Sequence, residues 1–188
     1  MIAQADAGIR TGESVRALAR RMSAWLADAN GTGREQQILQ LLKVGEEVGE
    51  LASELLQRTR RPQAIARETA DVVVSALTAL LALGRDIDDV FAVAPGWSHE
   101  DAGDLDGLVL CLCDYTGQMH AAVIGWTGQN PRKGVTHGVA NIDLMLRGIV
   151  LKAERLLAAL DMAPAAYLAK HADELHARLD ALGVPKQH

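Results

Sequence analysis

Five of the six carboxylates in residues 46–71 fall into two groups at helical spacing: Glu46, Glu47 and Glu50, then Glu68 and Asp71. At ~100° per residue, Glu46 and Glu50 lie ~40° apart on a helix and Glu47 and Glu50 ~60° apart. With Glu54 they form one stripe. Like charges at i, i+3 and i, i+4 weaken a helix, and a cation held between them removes that cost. Glu68 and Asp71 repeat the i, i+3 spacing on the next segment. Two antiparallel helices joined by a short turn can bring these pairs face to face. Oxygen ligands in this number suit Mg²⁺, with Mn²⁺ as the alternative, and not zinc. Glu68 also adjoins the apolar run Val72-Val73-Val74, where a buried carboxylate needs a partner. The plainer alternative is a solvated acidic face. It accounts for the first three glutamates better than for all five at matched spacing.

The segments around these acids read as helices. Ser14 is a candidate cap for a helix to about Asp28, with Val15, Leu18, Met22 and Trp25 on one face. Asn30-Gly31 and Gly33 end it. A second helix is predicted over Arg34 to Arg58, with the stripe Ile38, Leu41, Leu42, Val44, Val48, Leu51 and Leu55. The basic stretch Arg58, Arg60, Arg61 before Pro62 marks a turn. A third helix is expected from Gln63 to Leu83, and a short fourth from Ile87 to Val93. Residues 94–104 form an acidic, glycine-containing linker. Helical patterning resumes over Leu105 to Trp126, Val139 to Leu160 and Pro164 to Leu182. Between the first two of these lies the breaker run Thr127 to Gly134, which carries Arg132 and Lys133. Residues 1–13 are expected to be a flexible tail.

Composition narrows the class. Of 188 residues 49% are apolar but only 3% aromatic, so the core must be aliphatic, which favours helix-on-helix packing. A net charge of −5 argues against binding a nucleic-acid polymer, and phosphate chemistry would need local positive charge or a metal. Cys111 and Cys113, two residues apart on a helix, do not pair and are expected as buried thiols. No charge-free apolar run reaches the ~18 residues of a membrane span. Met1 to Arg10 has no apolar leader core. A cytoplasmic protein is therefore expected.

The pattern Glu46-Glu47-x-x-Glu50, then Glu68-x-x-Asp71 on the next predicted helix, resembles the signature of the MazG-like, all-α nucleotide pyrophosphohydrolase superfamily. That superfamily includes the dimeric-type dUTPases and the dCTP pyrophosphatases. The words Leu42-Lys43-Val44-Gly45 and Gly49-Glu50-Leu51-Ala52 are similar to the family's as well, and the resemblance covers about residues 14–92. It implies an all-α bundle that cleaves a nucleoside triphosphate to the monophosphate and pyrophosphate. It also implies Mg²⁺ held by Glu47, Glu50, Glu68 and Asp71, with Glu46 either an additional ligand or the group that orients the attacking water, and with Glu46 and Glu47 as the catalytic carboxylates, one of which accepts the water's proton. It further implies assembly as a homo-oligomer, such as a dimer.

Residues 105–188 read as a degenerate second copy of residues 14–93. Leu42 to Glu50 aligns with Leu110 to Gln118, placing Asp114 against Glu46, Tyr115 against a ligand glutamate and Gln118 against Glu50. No Glu-x-x-Asp follows, and Asp143 is the nearest acid. The loop Gly128 to His137 is similar to one in small MazG-like proteins, and Asn130, Arg132 and Lys133 are expected to contact substrate phosphates. Lys43 is expected either to do the same or to pair with Glu47. Trp25 and Trp126 could stack a base, though core packing is the commoner use. His171, Glu174 and His176 have near-metal spacing but lack the paired motifs of a diiron bundle, so surface charge is expected there.

The expectation is a nucleotide-pool enzyme acting on dUTP, dCTP or a damaged nucleotide. The alternatives are a non-catalytic nucleotide-binding or regulatory protein and a ferritin-like carboxylate bundle.

Overall fold

The computed structural model describes residues 2–91 and 104–186, with side chains from Gly12 onward. Every regular element among them is a helix, as the aliphatic composition predicts: α1 (Ile2–Asn30), α2 (Arg34–Leu55), α3 (Pro62–Ala82), α4 (Leu105–Thr127), α5 (Val139–Ala159) and α6 (Pro164–Ala181). The boundaries follow local chemistry. Pro62 and Pro164 stand at the first turns of α3 and α6, where a missing N–H costs nothing. The Asp104 side chain accepts from the Gly107 N–H to cap α4. At the other end, Gly128 takes a left-handed φ of 65°, which a side chain would resist.

α2 and α3 form one antiparallel hairpin and α4 and α5 another. α2 packs on α4 and α3 on α5, so the two hairpins close a four-helix bundle. α1 and α6 lie against each other and against α3. α3 is therefore surrounded, and Ile65, Val73, Leu77 and Leu80 meet Leu41 and Leu51 of α2 and Ile142, Leu146 and Ile149 of α5 in the core. The two sequence halves thus share one core. Arg21 of α1, 3% exposed, ties α1 to the far end of the chain: it donates to the carbonyls of His176, Val184 and Pro185 and to the Asp180 carboxylate. Arg85, beyond α3, and Arg147 of α5 both donate to Asp143.

Several expectations change. α1 begins at Ile2, so the expected tail is helical, and the Ser14 hydroxyl is no cap but donates to Asp173 of α6 at 3.2 Å. α2 stops at Leu55, three residues early. No helix forms at Ile87 to Phe91, where Asp88 to Phe91 is turn; just before it the Asp86 side chain accepts from the Asp88 N–H, a local bond that competes with helix. Val93 and linker residues 94–103 lie outside the described residues. Cys111 and Cys113 are free, as expected, but exposed. Finally, α4 is long and apolar enough to cross a membrane by length and composition. Here it serves as a bundle helix that carries Asp114 at mid-length, with Leu112 and Met119 fully buried against its neighbours.

Candidate metal centre and adjoining cavity

The turn at residues 56–61 folds α3 back along α2 and brings the acidic pairs together. Glu47, Glu50 and Glu68 each place one carboxylate oxygen within 4.8 Å of the other two. Glu47 and Glu68 are 7% and 6% exposed, whereas Glu50 faces solvent. Asp71 follows one turn after Glu68, and its charge reaches Glu47. Glu47 is held above the usual carboxylate range, chiefly by burial. Lys43 opposes that shift, and the charges of Asp71 and Glu50 add to it. Carboxylates converging in this way could hold a metal ion between them.

The flanking cations are placed in detail. Lys43 Nζ lies 2.8 Å from Glu47 Oε1 and 3.0 Å from Glu46 Oε2. Burial works against the charge on Lys43, but these two carboxylates outweigh it and raise its pKa. Glu46 is exposed beside Lys43 and stays outside the tight triad. Glu54 turns away to a bidentate pair with Arg61 at 2.7 and 2.8 Å. Arg67 donates twice to one oxygen of Glu68, at 2.8 and 3.2 Å, leaving the other oxygen outside that pair.

α6 supplies an unexpected neighbour. His171 Nε2 lies 2.8 Å from Asp71 Oδ1. His171 is 6% exposed, which corrects its reading as surface charge. One turn earlier on α6, Tyr167 feels the charges of Arg67, Asp71 and Glu68. Burial, then the Glu174 carboxylate, pushes its hydroxyl above the usual range. A sequence signal for His171 exists: it falls inside the apolar stripe Leu168, His171, Ala172, Leu175, Leu179, not on the polar face.

The cluster opens onto a cavity of about 690 Å³ between α1, α2, α3 and α6. Lys43, Glu47 and Asp71 line its charged part, Gln36, Gln40, Ser75 and Thr78 its neutral polar part, and Leu26, Leu39 and Val74 its apolar part. A second hollow of about 320 Å³ shares Leu26, Gln36, Gln40 and Thr78 and extends toward Gly31 and Gly84.

The expected phosphate loop is elsewhere. Its root, Trp126, receives the Arg34 guanidinium at 4.4 Å over the ring, and its carbonyl accepts from Arg34 at 2.7 Å. Glu47 lies thirteen residues further along α2, roughly 20 Å at helical rise. Arg132 and Lys133 are exposed, and neither they nor Asn130 line the cavity. Asn130 instead accepts from the Arg132 N–H at 3.1 Å, shaping the loop. Trp25 also lies outside the cavity lining, and it is 37% exposed.

In the second hairpin the positions aligned with the acidic motif make packing and local contacts. The Tyr115 ring sits over Gly148 of α5, where an added Cβ would collide with it. Asp114 accepts from Gln118 at 2.7 Å, and Asp143 is engaged by arginines. No protein-family model, characterised protein or solved structure matches the chain.

Proposed function

We propose that the chain is a divalent-cation-dependent nucleoside triphosphate pyrophosphohydrolase of the MazG-like superfamily, cleaving a (d)NTP to the monophosphate and pyrophosphate. The observation that carries this reading is the convergence of Glu47, Glu50 and Glu68, with Asp71 beside them, at the edge of a cavity of nucleotide size. An all-oxygen donor set fits Mg²⁺ or Mn²⁺, and Glu47, Glu50, Glu68 and Asp71 would hold it. Such an ion, when bound, supplies charge neutralisation of the phosphates and acidification of water.

The chain's own groups do the rest. Lys43 is the cation placed to meet a phosphate, held at the cavity by Glu46 and Glu47. Glu46, exposed and paired with Lys43 through one oxygen, is the carboxylate we assign to orient water and accept its proton. Gln36, Gln40, Ser75 and Thr78 offer donors and acceptors to base and sugar, and Leu26, Leu39 and Val74 offer apolar contact. A deoxynucleotide such as dUTP or dCTP, or a damaged one, is the proposed substrate. Arg132 and Lys133, far from their own cluster, suit contact with a neighbouring copy. Association into a dimer is supported by exposed Leu39 and Leu42 on α2 and Leu110 and Ile124 on α4.

The packed-over second hairpin favours a second reading, a nucleotide-binding protein that kept its metal site without turnover. Substitution separates the two. Glu50→Gln or Asp71→Asn is expected to lower kcat by at least about 10²-fold with helical circular dichroism unchanged. Turnover near wild type in either variant would rule out this assignment of the centre. A wild-type chain that binds nucleotide without releasing pyrophosphate would favour the binding protein.

A further inference from the structure

We infer that His171 is a positioning residue, through which the last helix orients Asp71 for cation binding; the inference rests on the metal-centre reading above. A carboxylate can only accept, so the proton of the 2.8 Å contact sits on Nε2 and is donated to Asp71 Oδ1. That bond holds Oδ1 of Asp71, a residue outside the Glu47–Glu50–Glu68 triad whose charge still reaches Glu47, and leaves Oδ2 outside the bond. Asp71 stands on α3 and His171 on α6, so the bond joins the sequence's second half to a centre otherwise built from α2 and α3.

The choice of side chain supports a directed role. Position 171 lies among Leu168, Ala172 and Leu175 on the buried face of α6. For packing alone a leucine would serve, without the cost of burying an imidazole. The hydrogen bond to Asp71 is what offsets that cost. Direct ligation is disfavoured on chemical grounds, because hard cations of this class prefer oxygen to imidazole nitrogen. Groups that hold a ligating side chain in place are commonly worth about 10–100-fold in metal affinity.

The test uses the full chain and Mg²⁺ alone. Calorimetric titration is expected to show Mg²⁺ binding to wild type, a loss of about 10–100-fold in affinity for His171→Leu, and recovery to within a few-fold for His171→Gln, whose amide N–H can still donate to Asp71. Circular dichroism verifies the fold of each variant. Equal affinity in wild type and His171→Leu overturns this inference alone, as does a His171→Gln variant no better than His171→Leu. A wild-type chain that takes up no Mg²⁺ overturns the metal-centre reading and this inference with it. Should His171→Leu not fold, the imidazole ¹⁵N resonances of the wild-type chain decide. They are expected to report an Nε2-protonated ring that shifts on Mg²⁺ addition, and a ring indifferent to Mg²⁺ contradicts the proposal.

Discussion

Glu47 and Glu154 are both carboxylates that burial has made costly, and only one has a use at the proposed centre. Glu47 faces Glu50, Glu68 and Asp71, where a cation would reward its charge. Glu154, on α5, is pushed up to about 7 by desolvation. Its folded-state pKa exceeds the unfolded value, so the folded chain keeps the proton longer. It costs nothing below about pH 4.5, and the penalty grows through the interval up to about pH 7 and persists above it. Glu154→Gln is therefore expected to stabilise the protein at pH 8 by about 2 kcal/mol, a Tm rise of about 4–8 °C. The gain should vanish at pH 4. Melting curves at the two pH values check this, and an equal gain at both would contradict the burial argument. The carboxylates of the centre were legible because i, i+3 spacing survives any packing of the two helices. His171 left only its place in the apolar stripe of α6 as a signal, because a lone histidine gains a role only from what that helix packs against.

At the scale of elements, breakers made most boundaries readable: Gly31, Pro62, Gly128 and Pro164 each stand where a helix ends or begins. The start of α1 was not readable, because Ser14 is a good cap while Ala3, Ala5 and Ala7 upstream favour continuing the helix. The contact between α2 and α4 depends on a missing side chain. A Cβ at Gly45 would lie 2.6 Å from His120 Cε1 and 2.9 Å from Nε2. On an open helix Gly→Ala gains about 0.5–1 kcal/mol, but here overpacking of about 1–3 kcal/mol opposes it. Gly45→Ala is thus expected to destabilise by about 1–2 kcal/mol, and Gly45→Ala with His120→Ala to recover the propensity gain relative to His120→Ala alone. Denaturant melts of the four-variant cycle measure the coupling. Additive effects would mean that α2 and α4 do not meet as described.

At the scale of the molecule, the centre owes its position to α3. That helix, packed against α2, α5, α1 and α6, is largely buried, and its two acids meet different neighbours: Glu68 joins Glu47 and Glu50 of α2, and Asp71 meets His171 of α6. The second half reads in sequence as a worn copy. In the structure Tyr115 packs over Gly148, while α5 and α6 complete the shell around α3. Nothing in the spacing of residues 105–186 could announce that, because it depends on how two hairpins interlock. The central claim, that this arrangement cleaves nucleoside triphosphates at the α–β bond, meets its most direct test in product analysis. The full chain is incubated with a panel of canonical and modified nucleoside triphosphates, with Mg²⁺ and with EDTA, and products are resolved by chromatography. The account predicts equimolar monophosphate and pyrophosphate from at least one substrate, abolished by EDTA. A folded chain that binds Mg²⁺ and nucleotide yet releases no pyrophosphate from any of them would contradict it.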